Sequence, residues 1–270
     1  MKTKENRNFQ ALFKEERYLI LKNYLYNYLV RKRAIEKCLN KEEPELILEI
    51  GSGISPLTTF FSRTVYCDLS LDAICFLKQK QGKGYYVIAD GIHLPFKSDI
   101  FSHVICSEVL EHIKNDLQAI KELARILKKY SGCLVITVPH RMCYFANDDH
   151  FVKHYRRYEL AEIIKKLKLA GLKPICLQKV LGPLEKITMS FVVYLFSIIQ
   201  RHKPSKEIFR NPGHNRFMKF FVLLFKCANL FYQGYIWLDA KIMPISFSTV
   251  ILIKSILSNK ECKASDSNIR

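Results

Sequence analysis

The chain has 270 residues, 49% of them apolar, enough to bury a sizeable core in one substantial domain with additions, and this excludes a chain disordered beyond its ends. Its 43 basic and 25 acidic side chains give a net charge of +18, which favours anionic surfaces such as nucleic acid or phospholipid headgroups. Most of the excess sits in residues 1–41, with 11 basic and 4 acidic side chains, and in residues 182–244, with 9 and 3.

Apolar residues recur at helical spacing from Phe9 to Leu39 (Leu12, Tyr18, Leu19, Leu25 and Leu29 among them), which predicts one or two amphipathic helices over residues 1–41. Pro44 breaks that pattern, and Leu46 to Ile50 then reads as a short buried strand of a parallel sheet. The expected helix after it spans Pro56 to Ser62. Strands follow over Thr64 to Asp68, Gly84 to Asp90, His103 to Ser107 and Cys133 to Pro139, with helices over Leu71 to Gln79 and Asp116 to Lys129. Repeated strand-helix units of this length predict parallel strands joined by right-handed crossovers.

Beyond Pro139 a polar, aromatic-rich loop runs to Tyr158, and a helix over Glu159 to Ala170 stops at Gly171. Lys173 to Val180 and Ser248 to Lys254 are the expected last two strands, with residues 182–244 inserted between them. The predicted organisation is an N-terminal helical segment (1–41), a core (42–181), a hydrophobic basic helical insertion (182–244), a last core strand (245–258) and a loose tail (259–270). In fold class this is α/β, a Rossmann-like seven-stranded, mostly parallel sheet with flanking helices.

Glu49-Ile50-Gly51-Ser52-Gly53 ends the first strand, and single acids stand at Asp68 and Asp90. A glycine pair lets the backbone turn sharply beside a ligand, and a helix start just beyond would offer free amides. An acid ending the next strand accepts hydrogen bonds from ribose hydroxyls. The expected cofactor therefore contains adenosine. A dinucleotide fingerprint wants a glycine three residues after its second, where Pro56 stands.

The run from Ile47 to Asp116 resembles the class I S-adenosylmethionine-dependent methyltransferases, particularly the group acting on small molecules and lipids. Leu48-Glu49-Ile50-Gly51-Ser52-Gly53 is similar to the family's first motif, and Asp68 stands where its ribose-binding acid ends the second strand. Asp90-Gly91-Ile92-His93-Leu94-Pro95-Phe96 resembles its adenine-side segment, and Val104 to Ile113 its fourth strand and following helix. The resemblance extends over about residues 45–180. Ser55-Pro56 departs from it where many members have a further glycine, which bears on the turn over the methionine part, and Ser102 replaces a usual aspartate.

The resemblance implies S-adenosylmethionine as cofactor, held by Glu49, Gly51, Ser52, Gly53, Asp68, Leu69, Asp90, Gly91 and Ser107. Glu49 would orient the methionine end, Asp68 the ribose and Asp90 the adenine amine, with Gly91 and Ser107 contributing mainly backbone contacts. No catalytic residue is fixed by sequence. His150, His154 and Tyr155 are the candidates, within a substrate-side set that includes His140 and Tyr158; His112 beside Glu111 reads either as structural, bonded to a loop carbonyl, or as catalytic. No metal is expected, since His150 and Asp149 lack further ligands at suitable spacing.

Nine cysteines without a C-x-x-C pair read as reduced thiols, and the polar start from Lys2 to Gln10 is unlike a secretory signal, so a cytoplasmic place is expected, peripheral on the membrane. Ile187 to Gln200 holds 14 uncharged residues between Lys186 and Arg201, too few to cross a bilayer. With Phe217, Phe220, Phe221, Leu224, Phe225, Leu230, Phe231 and Trp237 it reads as an amphipathic helix pair with basic edges. Such a pair docks on an anionic membrane surface, or else caps the core or forms a homo-oligomer interface. The expected partner is a small-molecule or lipid-linked methyl acceptor. A non-catalytic S-adenosylmethionine-binding protein and a nucleic-acid methyltransferase are the alternatives, the latter disfavoured because basic residues alternate with bulky aliphatics rather than lining a polar face.

Overall fold

A computed structural model describes residues 23–39, 45–202 and 216–258. The predicted helical content of residues 1–22, the tail 259–270 and the middle of the insertion lie outside the described residues. In chain order the elements are α1 (Tyr26–Leu39), β1 (Ile47–Ile50), β2 (Thr64–Asp68), α2 (Leu71–Gln81), β3 (Tyr85–Ile88), β4 (His103–Ser107), α3 (Asp116–Ile126), β5 (Cys133–Pro139), α4 (Asn147–Val152), α5 (Leu160–Leu169), β6 (Leu172–Leu181), α6 (Pro183–His202), α7 (Arg216–Ile242) and β7 (Val250–Leu257).

One seven-stranded sheet takes the order β3-β2-β1-β4-β5-β7-β6. The first five strands are parallel; β7 slots between β5 and β6 and runs antiparallel to both. Chain order reverses at β1, whose neighbours are β2 and β4. In open α/β sheets ligands bind outside the carboxyl ends at such a reversal.

Alternation along each strand sorts the core into two layers. Leu48, Val104, Cys106, Leu134 and Ile136 pack with Ile120 and Leu123 of α3 and with Ile163 and Leu167 of α5. Their neighbours Ile47, Ile105, Val135 and Leu252 face the other side, against Tyr28, Ile35 and Leu39 of α1 and Ile236 of α7. Both faces are covered, so β1, β4 and β5 read as continuous apolar runs rather than alternating ones.

The expected helix over Pro56 to Ser62 is absent; the chain there makes turns and bends. Its physical reason is Glu49, whose buried carboxylate accepts the amides of Leu57 at 2.8 Å and Thr58 at 3.0 Å, together with the Thr58 hydroxyl. That carboxylate takes amides a first helical turn would present, and the loop folds back on the strand end. The helix predicted to Lys129 stops at Ile126, because Leu127 turns extended and bridges to Phe101.

Insertion helices α6 and α7 are tied to the core by polar and aromatic contacts. Asp239 of α7 accepts the Leu184 amide at the start of α6 (3.0 Å), and Tyr26 of α1 meets Tyr232 edge-on at 5.0 Å between ring centroids. Lys186 of α6 is buried, its ammonium 2.6 Å from Asp148 Oδ1 and 2.6 Å from Asp149 Oδ2 on α4. No described helix is long and apolar enough to cross a membrane.

Removing one partner of a buried ion pair strands the other charge and costs about 3–5 kcal/mol. Lys186→Met should therefore destabilise the fold by about that amount in denaturant titration, whereas an effect under about 1 kcal/mol would show that the cluster does not anchor α6.

Candidate functional site

At the carboxyl ends of β1 and β2 the first two loops are bonded to one another. Gly51 donates to the Cys67 carbonyl at 2.8 Å, and Gly53 donates to Asp68 Oδ2 at 2.8 Å. The other Asp68 oxygen accepts the Ser70 amide at 2.8 Å. Each carboxylate oxygen thus keeps acceptor capacity for a further donor. Gly51 sits at φ +67, where a Cβ would lie 2.3 Å from Val109 Cγ2, so only glycine fits the bend.

Beside this junction is a cavity of about 360 Å3, lined among others by Glu49, Gly51, Ser52, Ser55, Ser107, Glu108, His112, Asp149 and His154. Ser52 and Ser55 are buried there and their hydroxyls have no hydrogen-bond partner. Ser107 Oγ lies 2.7 Å from Thr137 Oγ1, and Glu108 is held at φ +54 by its amide on the Thr137 carbonyl at 3.0 Å. Helix α1 closes one wall with Asn27, Tyr28 and Arg31, the last 3.9 Å from Glu108 Oε2. Sequence patterning gave no sign of that wall, because it comes from a helix distant along the chain.

The structure divides the expected cofactor residues between two neighbouring places. Glu49, Gly51, Ser52 and Ser107 line the cavity, while Gly53, Asp68, Leu69, Asp90 and Gly91 lie outside its lining, at and beyond the ends of β1, β2 and β3. Leu69 is exposed, and Asp90 closes its own turn by accepting the Ile92 amide at 3.1 Å.

Of the three catalytic candidates His154 alone lines the cavity. Its Nδ1 is 2.8 Å from Asp149 Oδ1, and its Nε2 is 3.6 Å from Glu111 Oε1. His150 instead stands edge-on to Phe145 at 4.9 Å, and Tyr155 is exposed with Lys114 over its ring. Of the wider set, His140 Nδ1 faces Ser248 Oγ at 2.8 Å, and Tyr158 is buried with its hydroxyl donating to Asp116 at 2.8 Å.

Asp149 organises the cavity wall formed by α4 and the chain just beyond it. Burial alone would raise its carboxyl, but hydrogen bonds from His154, Arg157 and Lys186 outweigh that and hold it well below the usual carboxylate range. Arg157 and Lys186 carried no sequence signal, since neither belongs to a recognisable spacing. Burial pushes Glu49 up to about 7 against the pull of its three donors, and pushes Glu185 of α6 up to about 7 as well.

A family profile described as a methyltransferase domain matches residues 48–136. The chain is 31% identical over 191 residues to an uncharacterised protein of Methanocaldococcus jannaschii, covering 66% of this chain and 79% of that one. It is 28% identical over 101 residues to a demethylmenaquinone methyltransferase of Streptomyces griseus, covering 36% of this chain and 44% of that one. Among solved structures, a possible histamine N-methyltransferase of Thermotoga maritima superposes with a TM-score of 0.54 at 17% identity, over 93% of this chain and 94% of that one.

The seven-stranded sheet, mostly parallel with β7 antiparallel, has the Rossmann-like methyltransferase fold. The chain belongs to the class I S-adenosylmethionine-dependent methyltransferases, and S-adenosylmethionine is its cofactor. The residues present fit that group: acceptors remain on Asp68 for a diol, and the unpaired hydroxyls of Ser52 and Ser55 stand ready for a charged amino-acid end.

A carboxyl whose folded pKa lies above its unfolded value stabilises the fold most below about 4.5 and loses that contribution as pH rises through about 7. Glu185→Gln should thus gain stability relative to the wild type between pH 5 and pH 8 in denaturant titrations. Wild-type and variant curves that stay parallel across that range would contradict the assignment.

Proposed function

We propose that this methyltransferase acts on a small-molecule or lipid-linked acceptor at a membrane surface, on the cytoplasmic side. The observation that carries the cofactor half is the bonded junction of Asp68 and Gly53 beside a cavity that Glu49, Ser52 and Ser107 line. When bound, S-adenosylmethionine supplies a methyl group already activated by positive sulfur.

Asp68 takes the ribose hydroxyls on its remaining lone pairs, and the Gly51 bend lets backbone approach the nucleoside. Ser52 and Ser55 meet the amino-acid end, with Glu49 holding their loop through the amides of Leu57 and Thr58. Asp90 and Gly91 border the adenine. For such a reaction the chain's task is chiefly alignment of acceptor and methyl carbon and exclusion of water. His154, fixed by Asp149, is the acceptor-side candidate, being the one of the three that lines the cavity.

The membrane half rests on α6 and α7. Phe191, Leu230, Phe231, Tyr235, Leu238 and Ile242 are exposed, Phe231 at 76%, in a segment with an excess of basic side chains. Exposed aromatics beside lysine suit the headgroup region of an anionic bilayer.

Two measurements check these assignments. Charged hydrogen bonds contribute about 1.5–3 kcal/mol each, so Asp68→Ala should weaken S-adenosylmethionine binding by about a hundredfold or more in calorimetry while melting cooperatively; unchanged affinity would refute the ribose role. The wild type should float with anionic but not neutral vesicles, and Phe231→Ser with Tyr235→Ser should abolish it. A wild type that stays in the aqueous fraction would refute membrane docking.

A further inference from the structure

A short helical turn, Leu110–His112, and the chain just past α4 bring Glu111, His112 and His154 together, with one ligand-type atom from each lying within 4.8 Å of the others. Glu111 is fully buried, at 0% exposure, and neither carboxylate oxygen has a hydrogen-bond partner. His154 Nε2 stands 3.6 Å from its Oε1, beyond hydrogen-bond reach. A buried carboxylate without donors is costly unless something else compensates it.

Neighbouring ligands held about 2.1 Å from one tetrahedral or octahedral ion lie about 3.0–3.4 Å apart; His154 Nε2 and Glu111 Oε1 stand 3.6 Å apart, and all three ligand atoms fall within 4.8 Å, so small side-chain shifts close the set on an ion. Outer contacts orient both imidazoles. Asp149 Oδ1 holds His154 Nδ1 at 2.8 Å, which turns Nε2 toward Glu111, and the His112 ring is hydrogen-bonded to the Lys153 backbone. Carboxylate and backbone partners of this kind fix metal-binding histidines and their tautomers.

We propose that Glu111, His112 and His154 bind one divalent first-row transition ion, of the kind that zinc exemplifies. Two imidazoles and one carboxylate favour such an ion over magnesium or calcium, which prefer all-oxygen sets. Three protein ligands leave a coordination position open, and both histidines line the cavity, so that position faces the space where an acceptor would sit. An acceptor oxygen bound there would give up its proton more readily. That use rests on the methyl-transfer reading; the site itself does not.

Metal-stripped protein, without S-adenosylmethionine, is titrated with Co2+ and followed by visible absorption, then challenged with Zn2+. The expected result is one Co2+ per chain with nitrogen-and-oxygen ligand bands, no thiolate charge-transfer band, displacement by Zn2+, and a rise in melting temperature with Zn2+. Glu111→Gln is close to isosteric at a buried side chain that makes no hydrogen bond, so the stripped variant should melt close to the wild type while binding Co2+ at least about tenfold more weakly. His154→Ala should lose binding similarly. Absent uptake by the wild type, a thiolate signature, or undiminished affinity in both variants would overturn the site and leave the cofactor assignment standing.

Discussion

The Asp68 carboxylate, accepting the Gly53 amide on one oxygen and the Ser70 amide on the other, fixes the geometry on which the site depends. β1 and β2 lie parallel with Ile50 beside Cys67, so their two exits emerge side by side, and the carboxylate ties them there. Gly51, at a positive φ against Val109, lets the first exit turn back over the second. Any side chain at that position would run into Val109, in the segment after β4, and push the first exit away from it.

A second constraint is ionic. Asp148 and Asp149 on α4 gather Lys186 from α6, with Arg157 and His154 from the loop beyond. One buried cluster therefore joins the loop after β5, the insertion and the cavity wall. The helix pair between β6 and β7 has one side packed on α1 and another bearing exposed aromatics. Helix α6 thus lines the cavity through Glu185 and Met189 while its Ile187, Phe191 and Tyr194 stay exposed.

Much of the fold was legible because its signals are local. Apolar runs marked β1, β4 and β5, since burial on both faces leaves no alternation, and the glycine bend with its two acids marked the reversal. What escaped the sequence was long-range. Glu49 suppressed the expected helix by capturing amides eight and nine residues away. The segment expected as a loop to Tyr158 contains α4, and His150 and His154 part company because Lys153 adopts φ +63 and ends that helix between them. Glu111 gave no hint of its unpartnered burial, and its meeting with His154 joins residues 43 positions apart in a site where no metal was expected.

The most direct test of the cofactor site is a crystal structure with S-adenosylhomocysteine bound. Both ribose hydroxyls should lie within hydrogen-bond distance of Asp68, with the amino-acid end among Glu49, Ser52 and Ser55. A nucleoside seated away from the ends of β1 and β2 would contradict it.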